Sequence, residues 1–475
     1  MEQKCLFIEG NWINTNTIID IKNPYDGSVI AKISAADEAW TDRAIEHTYK
    51  HREVMAKLTA KERGDILNKT SELLLSNLDT LAKTISLESG KAIRFAKGEV
   101  LRSSETFKFA ADEARRLSGE LIPLDAAATG KNRFGYYKRY PLGVIGAITP
   151  FNFPLNLVAH KVAPAIAAGN CIVLKPATAT PLTAVKLVEI LLEAGLPKEG
   201  ISLLVGSGSV VGNRMVESDK IAMLTFTGSP AVGLEIKRRA GMKKVTLELG
   251  NNAAVIIHKD ADITSALPKC VIGGFANSGQ ICISIQRIYV HNEIYDNFVN
   301  QFVEVVKNTS YGSQLDENVI VGPMIDEKEA IRVEEWISEA VNNGAKILCG
   351  GKRVGAIVEP TVLIDTNETM KVVSEEVFGP VVCIMRYNTL EEALEKSNNT
   401  KYGLQAGIFT KDIKTAFTAI DKLEVGGVMV NDMPTFRVDQ MPYGGVKLSG
   451  TGREGPKFAV EEMTELKTVV FNLEK

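Results

Sequence analysis

Three side chains in this sequence have the types and settings that carbonyl chemistry requires. In FANSGQICISIQR, residues 275–287, Cys282 follows Gly279 and Gln280 at a junction between a helical segment and a strand pattern, off any regular core face. A thiolate adds readily to carbonyl carbon, and helix ends or hydrogen-bond donors lower a thiol pKa from its usual ~8.5. Such a nucleophile normally needs a base. The only histidines are His47, His51, His160, His258 and His291, and none forms a recognisable Cys–His signature with Cys282. The other candidate is Glu248 in VTLELGNN, a carboxyl within an otherwise apolar strand. Burial raises its pKa into the range of a general base, unless strand alternation turns it to solvent or into a salt bridge. Asn152 in TPFNFPLN lies in a loop stiffened by Pro150 and Pro154. An amide held that way suits an oxyanion, or caps the helix that follows. Lys175 ends CIVLKP at the carboxyl edge of a strand, where it can meet a ribose hydroxyl or phosphate, or be solvated.

The elements that must position these groups are legible between residues 144 and 250. Short β-branched runs, VIGAI, CIVLK, ISLLV, MLTFT and VTLEL, alternate with helical segments, the pattern of βαβ units on a parallel sheet. The turn VGSGSVVG places Gly206, Gly208 and Gly212 between a strand and a helix, where free N–H groups favour an anion. Its spacing is one residue longer than the usual dinucleotide fingerprint, and alone it serves a structural turn equally well. The next turn, FTGSPAVG, repeats the arrangement with Gly228 and Ser229. After Gly250 a second α/β series begins with AAVIIH. Residues 35–118 read as mostly helical. Residues 120–143 read as a projecting hairpin and 466–473 as a strand whose edge needs a partner, most simply another subunit.

A chain of 475 residues exceeds a single core, so two or three packed units are expected. Its hydrophobic fraction of 45%, charged fraction of 24% and net charge of −3 describe an ordinary globular protein with no basic excess for nucleic acid or an anionic membrane. No signal-peptide core or membrane-length apolar run is present, which reads as cytoplasmic. The six cysteines show neither C-x-x-C nor metal-ligand spacing, so no metal site or disulfide framework is expected.

Taken in order, P-F-N-F-P, L-K-P, G-S at a helix start, L-E-L-G, G-Q-x-C, EEVFGP and MPYGGVKLSG resemble the aldehyde dehydrogenase superfamily over essentially the whole chain. The resemblance implies an α/β fold with a Rossmann-type NAD(P)-binding domain (1–118 and 141–247), an α/β catalytic domain (248–455) and a β oligomerisation arm (119–140 and 456–475) in a homodimer or homotetramer. It also implies roles. Cys282 forms a thiohemiacetal with the aldehyde, the Asn152 amide and the Cys282 N–H hold the oxyanion, hydride passes to NAD or NADP, and Glu248 activates the water that hydrolyses the thioester. Glu376 and Phe378 match the nicotinamide-side residues. Lys175, Gly208, Gly212, Gly228 and Ser229 match the adenosine and pyrophosphate side, with Thr149, Pro150, Phe151, Thr178, Thr227 and Leu249 also at cofactor positions.

The departures from the pattern bear on specificity. Asn251 replaces the usual second glycine of L-E-L-G-G, and asparagine tolerates left-handed backbone better than other side chains. Thr178 replaces an acidic residue common in NAD-preferring members, which reduces repulsion of a 2′-phosphate. Phe151 replaces a frequent tryptophan, and Ile281 brings no charge beside the thiol. Arg102 and Arg437 fall at substrate-pocket positions, with His160 nearby, and two arginines can clamp an anion. The resemblance is to the subgroup acting on lactaldehyde, glyceraldehyde 3-phosphate, phosphonoacetaldehyde or sulfolactaldehyde. A short polar, anionic aldehyde is therefore expected. A CoA-acylating enzyme is the alternative, disfavoured by Glu248; a catalytically silent binding protein on the same fold is the other.

Overall fold

The structure, a computed structural model, describes residues 3–474. Five parallel strands form the centre of the first sheet, in the order Lys244–Glu248, Met223–Thr227, Val144–Ile148, Cys171–Lys175 and Ile201–Leu203. Their β-branched sequences are buried on both faces, as parallel strands covered by helices must be. Register aligns Ile148 with Lys175 and Phe226, and Thr227 with Glu248, so four candidate site segments leave the sheet along one carboxyl edge. The helix Asn156–Ala168, which carries His160, is buried on every side. The helices expected within residues 35–118 are present and end with Ile93–Arg116, whose arginines at the last turn suit the negative end of the helix dipole.

The second sheet is parallel except at one edge. Its order is Lys346–Cys349, Thr361–Ile364, Val381–Tyr387, Ile285–His291, Ala253–Ile257, Gln405–Phe409 and Gly427–Val430. The chain crosses from Glu248, at the carboxyl edge of the first sheet, to Ala253, at the amino edge of the second. Two sets of strand ends therefore meet, and the loops entering the second sheet carry Cys282, Glu376 and Phe378.

Four features differ from the sequence reading. The segment before Ala35 supplies strands: Leu6–Ile8 and Asn11–Ile13 extend the first sheet, while Ile18–Lys22 and Val29–Ser34 pair antiparallel beside Gln3–Lys4. The turn after Ile201–Leu203 is not a plain helix start; Gly208–Gly212 form a wide π-type turn before a short helix, Asn213–Glu217. The C-terminal strand, Thr464–Asn472, pairs with Arg133–Pro141 of its own chain from Thr464↔Pro141 to Asn472↔Arg133. Its expected partner thus comes from within the chain, because the hairpin of Glu120–Ile122 and Arg133–Pro141 presents its longer strand to it. Lastly, Gly450–Thr451 add an antiparallel strand to the first sheet, pairing Gly450 with Glu248. A segment expected to belong wholly to the second unit therefore closes the edge of the first.

That closure depends on Gly450, whose φ is +147° and whose position would bring a Cβ within 2.1 Å of the Leu247 carbonyl. We expect Gly450→Ala to destabilise by at least the ~1–3 kcal/mol of a strained residue, seen as a lowered melting temperature. An unchanged melt contradicts the role of this edge.

Candidate active site

A cleft of about 680 Å³ lies along the carboxyl edge of the first sheet, lined by Thr149, Pro150, Lys175, Gly208, Gly212, Thr227 and Gly228 among others. A Cβ built at Gly208 or Gly212 meets nothing within 4 Å, so glycine here is not required by the protein's own packing. Bare backbone at those positions admits a phosphate-bearing ligand to close approach. Gly206 differs, since its Cβ would strike Val211 and approach the Ala36 carbonyl. The Thr149 and Thr227 hydroxyls are buried with no hydrogen-bond partner among the described residues. Burial draws the Lys175 ammonium down to about 8, and among the described residues its one hydrogen-bond partner is the Pro176 carbonyl at 3.5 Å. Thr178 stands behind the glycine turn, donating to the Gly206 carbonyl at 2.8 Å. Ser229 is exposed at the start of the helix Pro230–Arg239, and Leu249 packs against Gly233 of that helix. These residues fit a dinucleotide.

Loops of the second sheet meet those of the first at Phe151 and Asn251. The Phe151 and Phe378 rings lie edge to face, 5.9 Å apart. Glu376 accepts the Asn251 N–H at 2.9 Å, and burial raises its carboxyl to about 7. Asn251 does not have the left-handed φ that its glycine-like position suggests. Its amide serves instead, donating to the Gln405 carbonyl at 3.3 Å and tying the crossing to the second sheet.

Cys282 is half-buried on a loop held in unusual backbone. Asn277, Ser278 and Gly279 have φ of 52°, 58° and 69° in succession, and a Cβ at Gly279 would lie 2.0 Å from the Gly379 carbonyl. Left-handed non-glycine residues persist only where surroundings over-determine them. Here Asn277 donates to the Asn152 and Gln280 carbonyls, and Ser278 to the Gly322 carbonyl. Asn152 in turn donates to the Gln280 carbonyl at 3.0 Å, and its Oδ1 has no hydrogen-bond partner among the described residues. Its own loop is fixed by Glu99, which accepts the Leu155 and Asn156 N–H groups and pairs with buried Lys91. Ile281 and Cys282 pack against Ile283, Leu404 and Tyr443. Burial pushes the Cys282 thiol up to about 12, opposed by a hydrogen bond with Tyr443.

Glu248 is 2% exposed, and neither oxygen has a hydrogen-bond partner among the described residues. Burial, then the charge of Glu454, raises its carboxyl well above the ordinary range, against Arg437 and Lys161. Its Oε1 lies against Gly444, where a Cβ would come within 2.9 Å. Glu454 is the ionised neighbour. Although burial opposes it, Lys161 and Arg437 hold its carboxyl at about 2, with contacts of 2.9 and 3.1 Å.

The three expected substrate cations or near-cations form one chain. Arg437 is 6% exposed, touches Glu454, lies 3.0 Å from His160 Nε2, and stacks over the Tyr443 ring at 3.6 Å. Its Nε has no partner among the described residues. Arg102 is bidentate to Asp439 at 2.8 and 3.1 Å, and Asp439 also takes His160 at 2.8 Å and Asn156 at 3.1 Å. Burial and the Arg437 charge lower the His160 pKa, so the ring is neutral at neutral pH. The two arginines are therefore not equivalent: Arg102 is matched by its own carboxylate, whereas Arg437 shares Glu454 with Lys161.

Lys161, Asp439, Tyr443 and Glu454 are not identifiable as site residues from the motifs. A signal exists: adjacent His160 and Lys161 interrupt the apolar run NLVAHKVAPAIAA, and charge in a helix buried all round demands buried partners.

A cleft along the carboxyl edge of a parallel sheet, with a thiol, an amide and a buried carboxyl on the neighbouring loops, is the arrangement of an α/β oxidoreductase. The particular kind follows from comparison: the aldehyde dehydrogenase family model matches residues 12–469, and the chain belongs to that family. It is 47% identical over 473 residues to a 3-sulfolactaldehyde dehydrogenase of Priestia aryabhattai, covering 100% of this chain and 99% of that protein. Among solved structures, aldehyde dehydrogenase 21 of Physcomitrella patens in complex with the reaction product succinate superposes with a TM-score of 0.97 at 43% identity, covering 99% and 98% of the two chains. Glyceraldehyde-3-phosphate dehydrogenase GapN of Methanocaldococcus jannaschii complexed with NADP gives 0.93 at 41%, covering 97% and 100%. Among the described residues no helix is long and apolar enough to cross a membrane.

The raised carboxyl of Glu376 has a consequence for stability. The folded state keeps its proton to about 7, while an unfolded glutamate releases it near ~4.3. Folding therefore favours the protonated form, and this contribution declines as pH rises through that window and is constant above it. We expect melting temperature to fall less steeply from about pH 5 to about pH 7.5 in Glu376→Gln than in wild type; parallel curves contradict this.

Proposed function

We propose that this enzyme oxidises a short anionic aldehyde to the free carboxylic acid using NAD or NADP. Cys282 adds to the aldehyde carbon to give a thiohemiacetal, and the oxyanion is held by the free N–H of Asn152 and the Cys282 backbone N–H. The bound nicotinamide supplies the hydride acceptor. Glu248 then takes a proton from the water that cleaves the thioester. A carboxyl held above its ordinary range by burial, with neither oxygen hydrogen-bonded among the described residues, supports that role. Lys175, Gly208, Gly212 and Gly228 hold the dinucleotide at its phosphate and ribose end, and Glu376, Phe378 and Phe151 at the nicotinamide end.

The observation that carries the anionic substrate is the charge balance around Arg437. Lys161 and Arg437 both pair with Glu454, so among the described residues two cations share a single carboxylate. Excess buried charge favours an anionic ligand, and a guanidinium with an unpaired Nε is the group to receive it. Arg102, neutralised by Asp439, shapes the mouth of the pocket rather than supplying net charge, and Ile281 completes an apolar wall. Three relatives' names point the same way, a sulfonated aldehyde in one, a phosphorylated one in another and a dicarboxylate product in the third, while others are named for lactaldehyde, which is polar but uncharged. The arm supports an oligomer, homodimer or homotetramer, since Leu466, Val470 and Phe471 expose apolar surface on its outer strand.

The test is kcat/KM for lactaldehyde and glyceraldehyde 3-phosphate against propionaldehyde, with product analysis in the presence and absence of CoA. Arg437→Leu should lower kcat/KM for the phosphorylated aldehyde about 10- to 100-fold more than for propionaldehyde, with a smaller differential in Arg102→Leu. Equal responses sink the anion reading, and a CoA thioester as product sinks the hydrolytic one. For the cofactor, Thr178→Glu should shift the NADP/NAD ratio of kcat/KM toward NAD; an unchanged ratio removes Thr178 from cofactor choice.

A further inference from the structure

The hydroxyl of Tyr443 lies 3.0 Å from the Cys282 sulfur, and its ring is 3% exposed. On one face the ring carries the Arg437 guanidinium at 3.6 Å. Its backbone is fixed as well: Tyr443 and Glu454 exchange both main-chain hydrogen bonds, N to O at 3.1 Å and O to N at 2.7 Å. The phenol therefore has little freedom to leave the sulfur. No other side-chain donor contacts Cys282 among the described residues.

We propose that Tyr443 is a catalytic residue which donates its hydroxyl proton in a hydrogen bond to the Cys282 thiolate, both as the thiolate forms for attack and as it is expelled from the thioester. The proposal rests on Cys282 being the nucleophile. Tyr443 loses no proton in either step. Before attack the half-buried Cys282 thiol gives its proton to solvent water; a sulfur lone pair then forms the C–S bond while the carbonyl π pair moves to oxygen. In hydrolysis the oxyanion pair re-forms the carbonyl as the C–S pair returns to sulfur, and the hydrogen bond re-forms to the leaving thiolate. The direction of donation follows from chemistry. A buried phenol beside a carboxyl and a thiol keeps its proton, and burial followed by the Cys282 charge raises it further. Besides Tyr443, only the Arg437 charge favours the thiolate against burial, and no other hydrogen bond reaches it among the described residues, so a charge-assisted hydrogen bond answers a need of the site. The stacked guanidinium withdraws charge from the ring face and strengthens the phenol as a donor. The anion-holding arginine and the nucleophile are thereby joined through one ring.

The experiment is the pH dependence of iodoacetamide alkylation, with the modified cysteine located by peptide mass spectrometry, in wild type, Tyr443→Phe and Cys282→Ala. Tyr443→Phe keeps the ring beneath Arg437, and NADP binding followed by fluorescence reports whether the variant is folded. The expected result is Cys282 alkylation about tenfold slower at neutral pH, with its titration displaced upward, and a comparable fall in kcat/KM. Replacing Tyr443 by 3,5-difluorotyrosine, a stronger donor of nearly the same shape, should displace the titration downward. An unchanged or lowered titration in Tyr443→Phe at a correctly modified Cys282 overturns the role of Tyr443 and leaves the nucleophile standing. Full aldehyde oxidation by Cys282→Ala overturns the nucleophile itself.

Discussion

One carboxylate shared by two buried cations organises this molecule. Glu454 holds Lys161 from the helix Asn156–Ala168 and Arg437 from the segment that returns toward the first sheet. Removing it would strand two cations away from water, a loss of about 3–5 kcal/mol by analogy with broken buried pairs. Much of the site's arrangement follows from that contact. It presses Arg437 onto Tyr443, it sets the Tyr443–Glu454 backbone pair beside Cys282, and its negative charge adds to burial in raising the Glu248 carboxyl above its ordinary range.

The two sheets explain why these groups can be neighbours. Carboxyl ends of parallel strands in the first sheet face the amino ends of strands in the second, and loops from both fill the seam. Such a seam offers backbone N–H and carbonyl groups that no sheet uses, so its polar side chains are heavily committed to them. The side chains of Asn152, Asn251, Asn277 and Gln280 all bond to main-chain groups rather than to one another's side chains. The nucleophile loop carries three left-handed residues in a row, and the crossing at Gly279 leaves no space for a side chain. Rigidity is concentrated where a reacting atom must be held still.

The βαβ series, the second α/β series and the positions of Cys282, Glu248 and Asn152 are readable because each rests on local pattern: β-branched runs, proline punctuation, or a polar residue in an apolar strand. The strands before Ala35 are not, because they are short and only tertiary pairing defines them. The C-terminal strand shows its need for a partner without showing where the partner lies, since its register with Arg133–Pro141 joins segments far apart in the chain. The arginines are legible as residues, yet their partners Asp439 and Glu454 determine which one retains charge, and ion pairing across such separations leaves no local trace. Tyr443 is hidden for another reason. In MPYGG it reads as one more aromatic in a glycine turn, and only the fold brings its hydroxyl to the sulfur.

The central claim is a division of labour in which Cys282 carries the acyl group and Glu248 releases it. Its most direct test is intact-protein mass spectrometry of Glu248→Gln mixed with aldehyde and NAD(P), followed by peptide mapping. The account predicts one stoichiometric acyl adduct, located on Cys282, that outlasts the burst of reduced cofactor. An adduct on another residue, or none with turnover at the wild-type rate, would contradict it.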